Sequence, residues 1–371
     1  MSETELLRTA LHDRHVALGA TMGAEAGWHV PLRYTGPLDE AAEVRRRAGV
    51  MDLSHRSRIR IRGDGAPELL ARACTHDATR QEDDTAADTL LLNERGGVLD
   101  TGTLIRLENF WVFNGAPPCR EKTLRHLESL AEGLDARVDD QTLKTTLLAV
   151  TGPEAPRILD AVLPFRAGDL PAGAVKFGSL MIARYIAARV SDSGEWGVEV
   201  SLPNLVAGQA WRFITEKAGP NAVRPVGLAA ADVLRIEAGL CRYGHEFNET
   251  IDPLSAGLED RLHWEHDFLG RDALDKLRAR SLARRRVGLV LEAPAERAAA
   301  VIPRQGAAVR RADGSEAGAV TSATFSPARE VVLAMAYLSP VAAEVGEKLS
   351  VETPAGPCDA TVAELPFVVR P

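Results

Sequence analysis

Cysteine is scarce in this chain, and its four copies (Cys74, Cys119, Cys241 and Cys358) stand far apart with no CxxC pair. That spacing predicts reduced, mostly structural thiols in place of a disulfide frame. No apolar run approaches the roughly 20 residues that a membrane helix requires, so no membrane association is expected. The acidic start, Met1-Ser2-Glu3-Thr4-Glu5, has no apolar signal region and predicts no export, hence a cytoplasmic protein. A surplus of positive charge is also missing: the formal net charge is −8, which argues against a nucleic-acid surface. There is no Gly-x-Gly-x-x-Gly dinucleotide fingerprint, so any flavin would reside on a partner. His263-Trp264-Glu265-His266 has a metal-like His-x-x-His spacing but no third ligand nearby, and no metal is expected.

What is present is a long, mixed-charge sequence of 371 residues with 45% hydrophobic content, enough for two or three domains. An internal repeat shows through. Ile61-Arg62-Gly63-Asp64-Gly65-Ala66-Pro67-Glu68-Leu69-Leu70 matches Val150-Thr151-Gly152-Pro153-Glu154-Ala155-Pro156-Arg157-Ile158-Leu159. Each copy reads as a strand end, a glycine turn and a helix with proline in its first turn, where a missing N–H costs nothing. Each is followed by further strands, giving two α+β units with a shared interface. Residues 228–281 turn helical. From Val287 onward, short β-type runs separated by turns such as Ala312-Asp313-Gly314-Ser315 predict a small β-barrel or sandwich. The expected division is 1–280 for two interleaved α+β domains and 281–371 for the barrel.

Leu91-Leu92-Asn93-Glu94-Arg95-Gly96-Gly97-Val98-Leu99-Asp100 is the most pointed motif. Gly-Gly between apolar runs signals a hairpin in which both glycines take positive φ. It places the carboxylate of Asp100 at a fixed spot on the return strand. A carboxylate so held suits proton chemistry or polar recognition, and equally suits the rim of an ordinary hairpin.

These motifs resemble the aminomethyltransferase family, the T-protein of the glycine cleavage system and its relatives that move one-carbon units with tetrahydrofolate. The likeness includes Ala26-Gly27-Trp28-His29-Val30-Pro31, Arg47 through His55, Leu91 through Asp100, and Gly194-Glu195-Trp196-Gly197-Val198-Glu199. It continues through Leu234 to Leu240, Tyr243-Gly244-His245-Glu246, Asp267 to Arg271 and Val320 to Pro327. The resemblance implies a three-domain, cloverleaf-like α+β fold with folate held centrally and a C-terminal β-barrel. It implies Asp100 as the catalytic aspartate and Glu199 as the glutamate that receives the pterin. Asn114, Trp196 and Tyr243 are the further cofactor-binding candidates, and Asp88, Asp192, His55 and Trp28 the substrate-binding ones.

The chain also departs from the family pattern. Asp88 and Asp192 stand where the family has aromatic residues, Ala231 where it has an arginine, and Pro117-Pro118-Cys119 is inserted after Asn114. These exchanges predict transfer of a methyl (or aminomethyl) group from a small-molecule donor, cationic in character, to N5 of tetrahydrofolate, with a demethylase that forms methyl-tetrahydrofolate as the favoured form. The alternatives are a true T-protein served by a lipoyl carrier protein, and a non-catalytic folate-binding or assembly module.

Overall fold

The computed structural model describes residues 6–180, 183–217 and 223–369. Contacts divide the chain into two compact units. One comprises Met1–Leu91, Asp100–Ala231 and His263–Phe268; the other comprises Leu92–Leu99, Asp232–Leu262 and Leu269–Pro371.

The first unit carries the repeat. Strand Ser57–Arg62 runs through a turn at Gly63 into helix Ala66–Ala73, and strand Thr145–Thr151 through Gly152 into helix Ala155–Asp160. Both turn glycines have positive φ, 109° and 127°. A Cβ at Gly63 would lie 2.2 Å from the Asp135 carbonyl oxygen, and one at Gly152 would lie 2.6 Å from Ala48 Cα. Only glycine fits either turn. Pro67 and Pro156 occupy the first turns of the two helices. The first helix buries Leu69, Leu70 and Ala73 on one face, the 3.6-residue period expected of a helix lying on a sheet.

Each repeat belongs to its own sheet. The five-stranded sheet runs in the order Thr85–Leu92, Val98–Leu107, Phe110–Gly115, Ser57–Arg62, Arg137–Asp140. The six-stranded sheet runs Val175–Leu180, Ala183–Ala188, Gly197–Pro203, Thr145–Thr151, Gly49–Asp52, Arg224–Pro225. A core of Val50, Leu148, Val150, Ile158, Leu159, Val198 and Trp211 fills one side of the six-stranded sheet. Between the two sheets, Ile105, Leu107 and Val112 pack against Val175 and Ala188.

In the second unit, six strands close into a barrel in the order Arg285–Leu291, Val331–Leu338, Glu316–Ser326, Ala308–Arg310, Lys348–Val351, Cys358–Ala363. Its interior is lined by Leu289, Val309, Val320, Ala334, Ala336, Val351 and Val362. Closure removes free sheet edges from this short-stranded element.

The hairpin turn corrects the sequence reading in one respect. Gly96 has φ 79° as expected, but Gly97 is absent from the positive-φ glycines. Its need for glycine is steric: a Cβ there would lie 1.9 Å from the Glu249 carbonyl oxygen. Among the described residues no helix is long and apolar enough to cross a membrane, and no group of His, Cys, Asp and Glu is arranged to hold a metal. Cys74, Cys119, Cys241 and Cys358 are all free thiols.

Candidate functional site

Successive side chains on a strand point to opposite faces, so register decides what Asp100 and its neighbours meet. In the five-stranded sheet Gly102 pairs with Gly115, which pairs with Ser57; Leu104, Phe113 and Ile59 follow in the same register. Asp100 shares this face, and helix Arg120–Leu130 covers it. The side chain is fully buried. Oδ1 accepts the Thr101 N–H at 2.7 Å and the Ala116 N–H at 3.0 Å, and Oδ2 accepts the Thr123 hydroxyl at 2.6 Å. Burial pushes its pKa up to about 6, against the pull of those three donors and of the Cys119 thiol. A Cβ at Gly115 would lie 2.6 Å from Oδ2, so only glycine lets the neighbouring strand run this close to the carboxylate.

The opposite face is different. Thr103, Asn114 and Arg58 stand in register there. Thr103 donates to Asp88 at 3.3 Å, and the buried Asn114 leaves Oδ1 without a hydrogen-bond partner. This face carries Ile105 and Val112, which meet the six-stranded sheet.

From the six-stranded sheet, Glu199 enters on strand Gly197–Pro203. It is buried to 4% exposure. Its Oε1 accepts Arg56 Nη1 at 2.8 Å, while Oε2 has no hydrogen-bond partner. Arg56 extends its other terminal nitrogen to Asp192. Burial is the main influence raising Glu199 to about 7; Arg56 opposes it, the charges of Asp192 and Asp88 add to it, and Arg58 opposes more weakly. Around Arg56, burial works against the charge but is overcome by Asp192 and Glu199, so the guanidinium is held above its ordinary range. Glu199, Asp192 and Asp88 are therefore coupled through one cation. Asp100 lies on the other face, with its own partners.

Two family models together cover most of the chain. Residues 11–266 match the GCVT N-terminal domain and residues 284–368 the glycine cleavage T-protein C-terminal barrel domain. The chain belongs to the glycine cleavage T-protein family. It is 38% identical to the aminomethyltransferase of Rubrobacter xylanophilus, over 98% of this chain and 95% of that protein. It is 37% identical to the aminomethyltransferase of Streptomyces coelicolor, over the full length of both. The crystal structure of glycine cleavage system aminomethyltransferase T from Bartonella henselae superposes with a TM-score of 0.89 at 31% identity, covering 98% of each chain. Membership makes this T-protein relative a folate-dependent transferase with tetrahydrofolate as its cofactor, on the mixed α+β fold with a closed C-terminal barrel.

The other residues singled out in this T-protein relative have varied surroundings. The Trp196 indole packs against the core of the six-stranded sheet with the Arg189 guanidinium 4.3 Å above it. Trp28 is buried in strand Trp28–Arg33, and His55 is buried in the turn after Asp52. Tyr243 belongs to the second unit, edge-on to Phe247. Both ring nitrogens of His266 contact backbone carbonyls, of His263 at 2.9 Å and Cys74 at 3.1 Å, so this histidine ties loops together. Sequence reading missed Arg56. Its only sequence signal was position, directly after Asp52-Leu53-Ser54-His55; nothing local announces partners 136 and 143 residues away.

Proposed function

We propose that this chain is an aminomethyltransferase. It passes the carbon of an aminomethyl group, carried on a sulfur of the reduced lipoyl arm of a partner protein, to tetrahydrofolate; the carbon–sulfur and carbon–nitrogen bonds break, yielding methylene-tetrahydrofolate, ammonia and the free lipoyl thiol. The shared name of relatives matched over their whole length supports this reading over the demethylation suggested by Asp88, Asp192 and Ala231.

The observation that carries it is the half-satisfied carboxylate of Glu199, buried with Oε2 unpartnered. A buried acceptor without a donor is costly unless a ligand completes it. The pterin edge presents an amidine-like pair of N–H donors, and an ionised carboxylate is the matching acceptor. Asn114 Oδ1 offers a second unsatisfied acceptor on the five-stranded sheet. The residues present thus fit the cofactor. When bound, tetrahydrofolate supplies N5 as the nitrogen that receives the carbon unit.

The chain's own contribution is binding, orientation and exclusion of water. Glu199 holds the ring while ionised, so uptake strengthens as the pH rises through about 7. Asp100, fully buried and bonded to Thr101, Ala116 and Thr123, pins the strand, the Ala116 turn and the covering helix behind that surface. Its share in turnover is positional.

Incubation with an aminomethyl-loaded lipoyl carrier protein and tetrahydrofolate tests the proposal by mass spectrometry. The expected product is methylene-tetrahydrofolate with stoichiometric ammonia, lost in Glu199→Gln together with tetrahydrofolate binding. Unchanged binding and turnover in Glu199→Gln would reject the site. Formation of methyl-tetrahydrofolate from a free sulfonium or methylammonium donor, without the carrier, would reject the reaction.

A further inference from the structure

The turn that carries Arg56 joins strand Gly49–Asp52 of the six-stranded sheet to strand Ser57–Arg62 of the five-stranded one. It is unusually well fixed. The Arg56 N–H donates to the Leu53 carbonyl at 2.9 Å. The buried Arg58 guanidinium holds the Arg56 carbonyl at 2.7 Å and the Ser54 carbonyl at 3.0 Å. Asp52 accepts the Ser54 N–H at 3.0 Å. A backbone locked this firmly delivers its next side chain to one place.

That side chain reaches two carboxylates of unlike exposure. Glu199 is buried, whereas the Asp192 side chain is 61% exposed on the loop before strand Gly197–Pro203. Arg56 takes one oxygen of Glu199 and is pulled outward by Asp192, so the fork is shared instead of closing bidentately on Glu199. The geometry points to Arg56 as a positioning residue for the ligand-binding carboxylate: anchored by Asp192, it grips Glu199 through Oε1 and leaves Oε2 for the ligand's N–H donors. This rests on the assignment of Glu199 to the pterin.

Among the described residues, the charges that act most strongly on Glu199 are Arg56 from the inter-sheet turn, Asp192 from the loop, Asp88 from strand Thr85–Leu92 and Arg58 from strand Ser57–Arg62. Removing Arg56 leaves a buried carboxylate facing two acids, opposed by the weaker pull of Arg58, so protonation becomes easier. Removing the Asp192 charge subtracts one acid and releases the guanidinium to Glu199, so protonation becomes harder. The two changes therefore move Glu199 in opposite directions, a signature that loss of packing does not produce.

Carbon-13 NMR of protein labelled at glutamate Cδ reads this without any ligand, the Glu199 signal being assigned by its disappearance in Glu199→Gln. The expected midpoint near 7 moves up by about one pH unit or more in Arg56→Gln, moves down in Asp192→Asn, and returns toward the original value in Arg56→Lys. Tetrahydrofolate affinity, followed by calorimetry, should follow. In Arg56→Gln it weakens about tenfold at pH 6.5 and recovers toward pH 9, since one unit of pKa is tenfold in the ionised fraction below the midpoint. Asp192→Asn changes an exposed side chain and keeps the experiment decisive should Arg56→Gln not fold. Midpoints that stay put, or move the same way in both variants, overturn the proposal. Opposite NMR shifts in a protein that binds no tetrahydrofolate at any pH uphold the grip of Arg56 on Glu199 and overturn the folate assignment instead.

Discussion

At the scale of single residues, two buried acids of one unit behave differently because of what surrounds them. Asp100 is satisfied by two backbone N–H groups and a hydroxyl, while Glu199 keeps an oxygen open. Both are pushed upward in pKa chiefly by burial, to about 6 and about 7. For Asp100 the folded value lies above the ordinary 3.8, so the folded state binds the proton more tightly than the unfolded chain. The penalty is absent below pH 4, grows between 4 and 6 and is complete above 6, on the order of 3 kcal/mol. Asp100→Asn keeps the shape and both backbone acceptances. Chemical denaturation at pH 4 and pH 8 should therefore show a smaller loss of stability with rising pH than in the wild type, and turnover should survive. Abolished turnover with intact folding would return Asp100 to the reacting centre.

At the scale of elements, glycines and carboxylates decide where strands may turn. The Gly97 position abuts the Glu249 carbonyl, whereas Gly133, with φ 81°, has nothing within 4 Å. Gly133→Ala should cost about 1 kcal/mol of left-handed strain. Gly97→Ala should cost about 3 kcal/mol or more, because backbone must move; equal melting temperatures for the two variants would contradict this. Glu40 shows the same economy. Its Oε1 accepts the N–H groups of Tyr34, Thr35 and Gly36, and Oε2 that of Gly227 at 2.7 Å. Such elements were partly legible in advance. The repeated Gly-turn and proline-led helices follow from local rules, since a proline in the first helical turn and a glycine at positive φ are preferences of the chain itself. The closeness of Gly97 to residue 249 is not local, and the hairpin signal alone could not distinguish it from a second left-handed glycine.

At the scale of the whole molecule, the second unit is tied by a buried charge cluster. Glu246, fully buried, accepts Arg235 at 2.8 Å, Thr321 at 2.8 Å, Ser322 at 2.6 Å and the Arg242 N–H at 2.9 Å. It thereby joins helix Leu228–Glu237 to strand Glu316–Ser326 of the barrel. Arg235 and Glu237, two apart on that helix, serve different neighbours: Glu237 accepts the Ser326 hydroxyl and the Ala328 N–H. Glu246→Gln removes the buried charge opposite Arg235 Nη1 and leaves that guanidinium with Asp232, bonded to its Nε at 2.9 Å, as a carboxylate partner. The expected loss is about 3 kcal/mol or more, seen as a lower melting temperature of the intact protein. A variant melting with the wild type would show that the pair adds nothing.

By itself the sequence determined the family, the two repeats, the C-terminal barrel and the free thiols, because turn chemistry and motif order are written along the chain. The glutamate expected to face the pterin was legible in the same way, as a motif residue. Only the tertiary structure decided which face of its strand Asp100 occupies and that Arg56 stands beside Glu199, Asp192 and Asp88. Alternation says that neighbours on a strand point apart, but which face a helix covers and which meets another sheet depends on packing between elements. Likewise, an arginine finds carboxylates 136 and 143 residues away only after two sheets have been laid together.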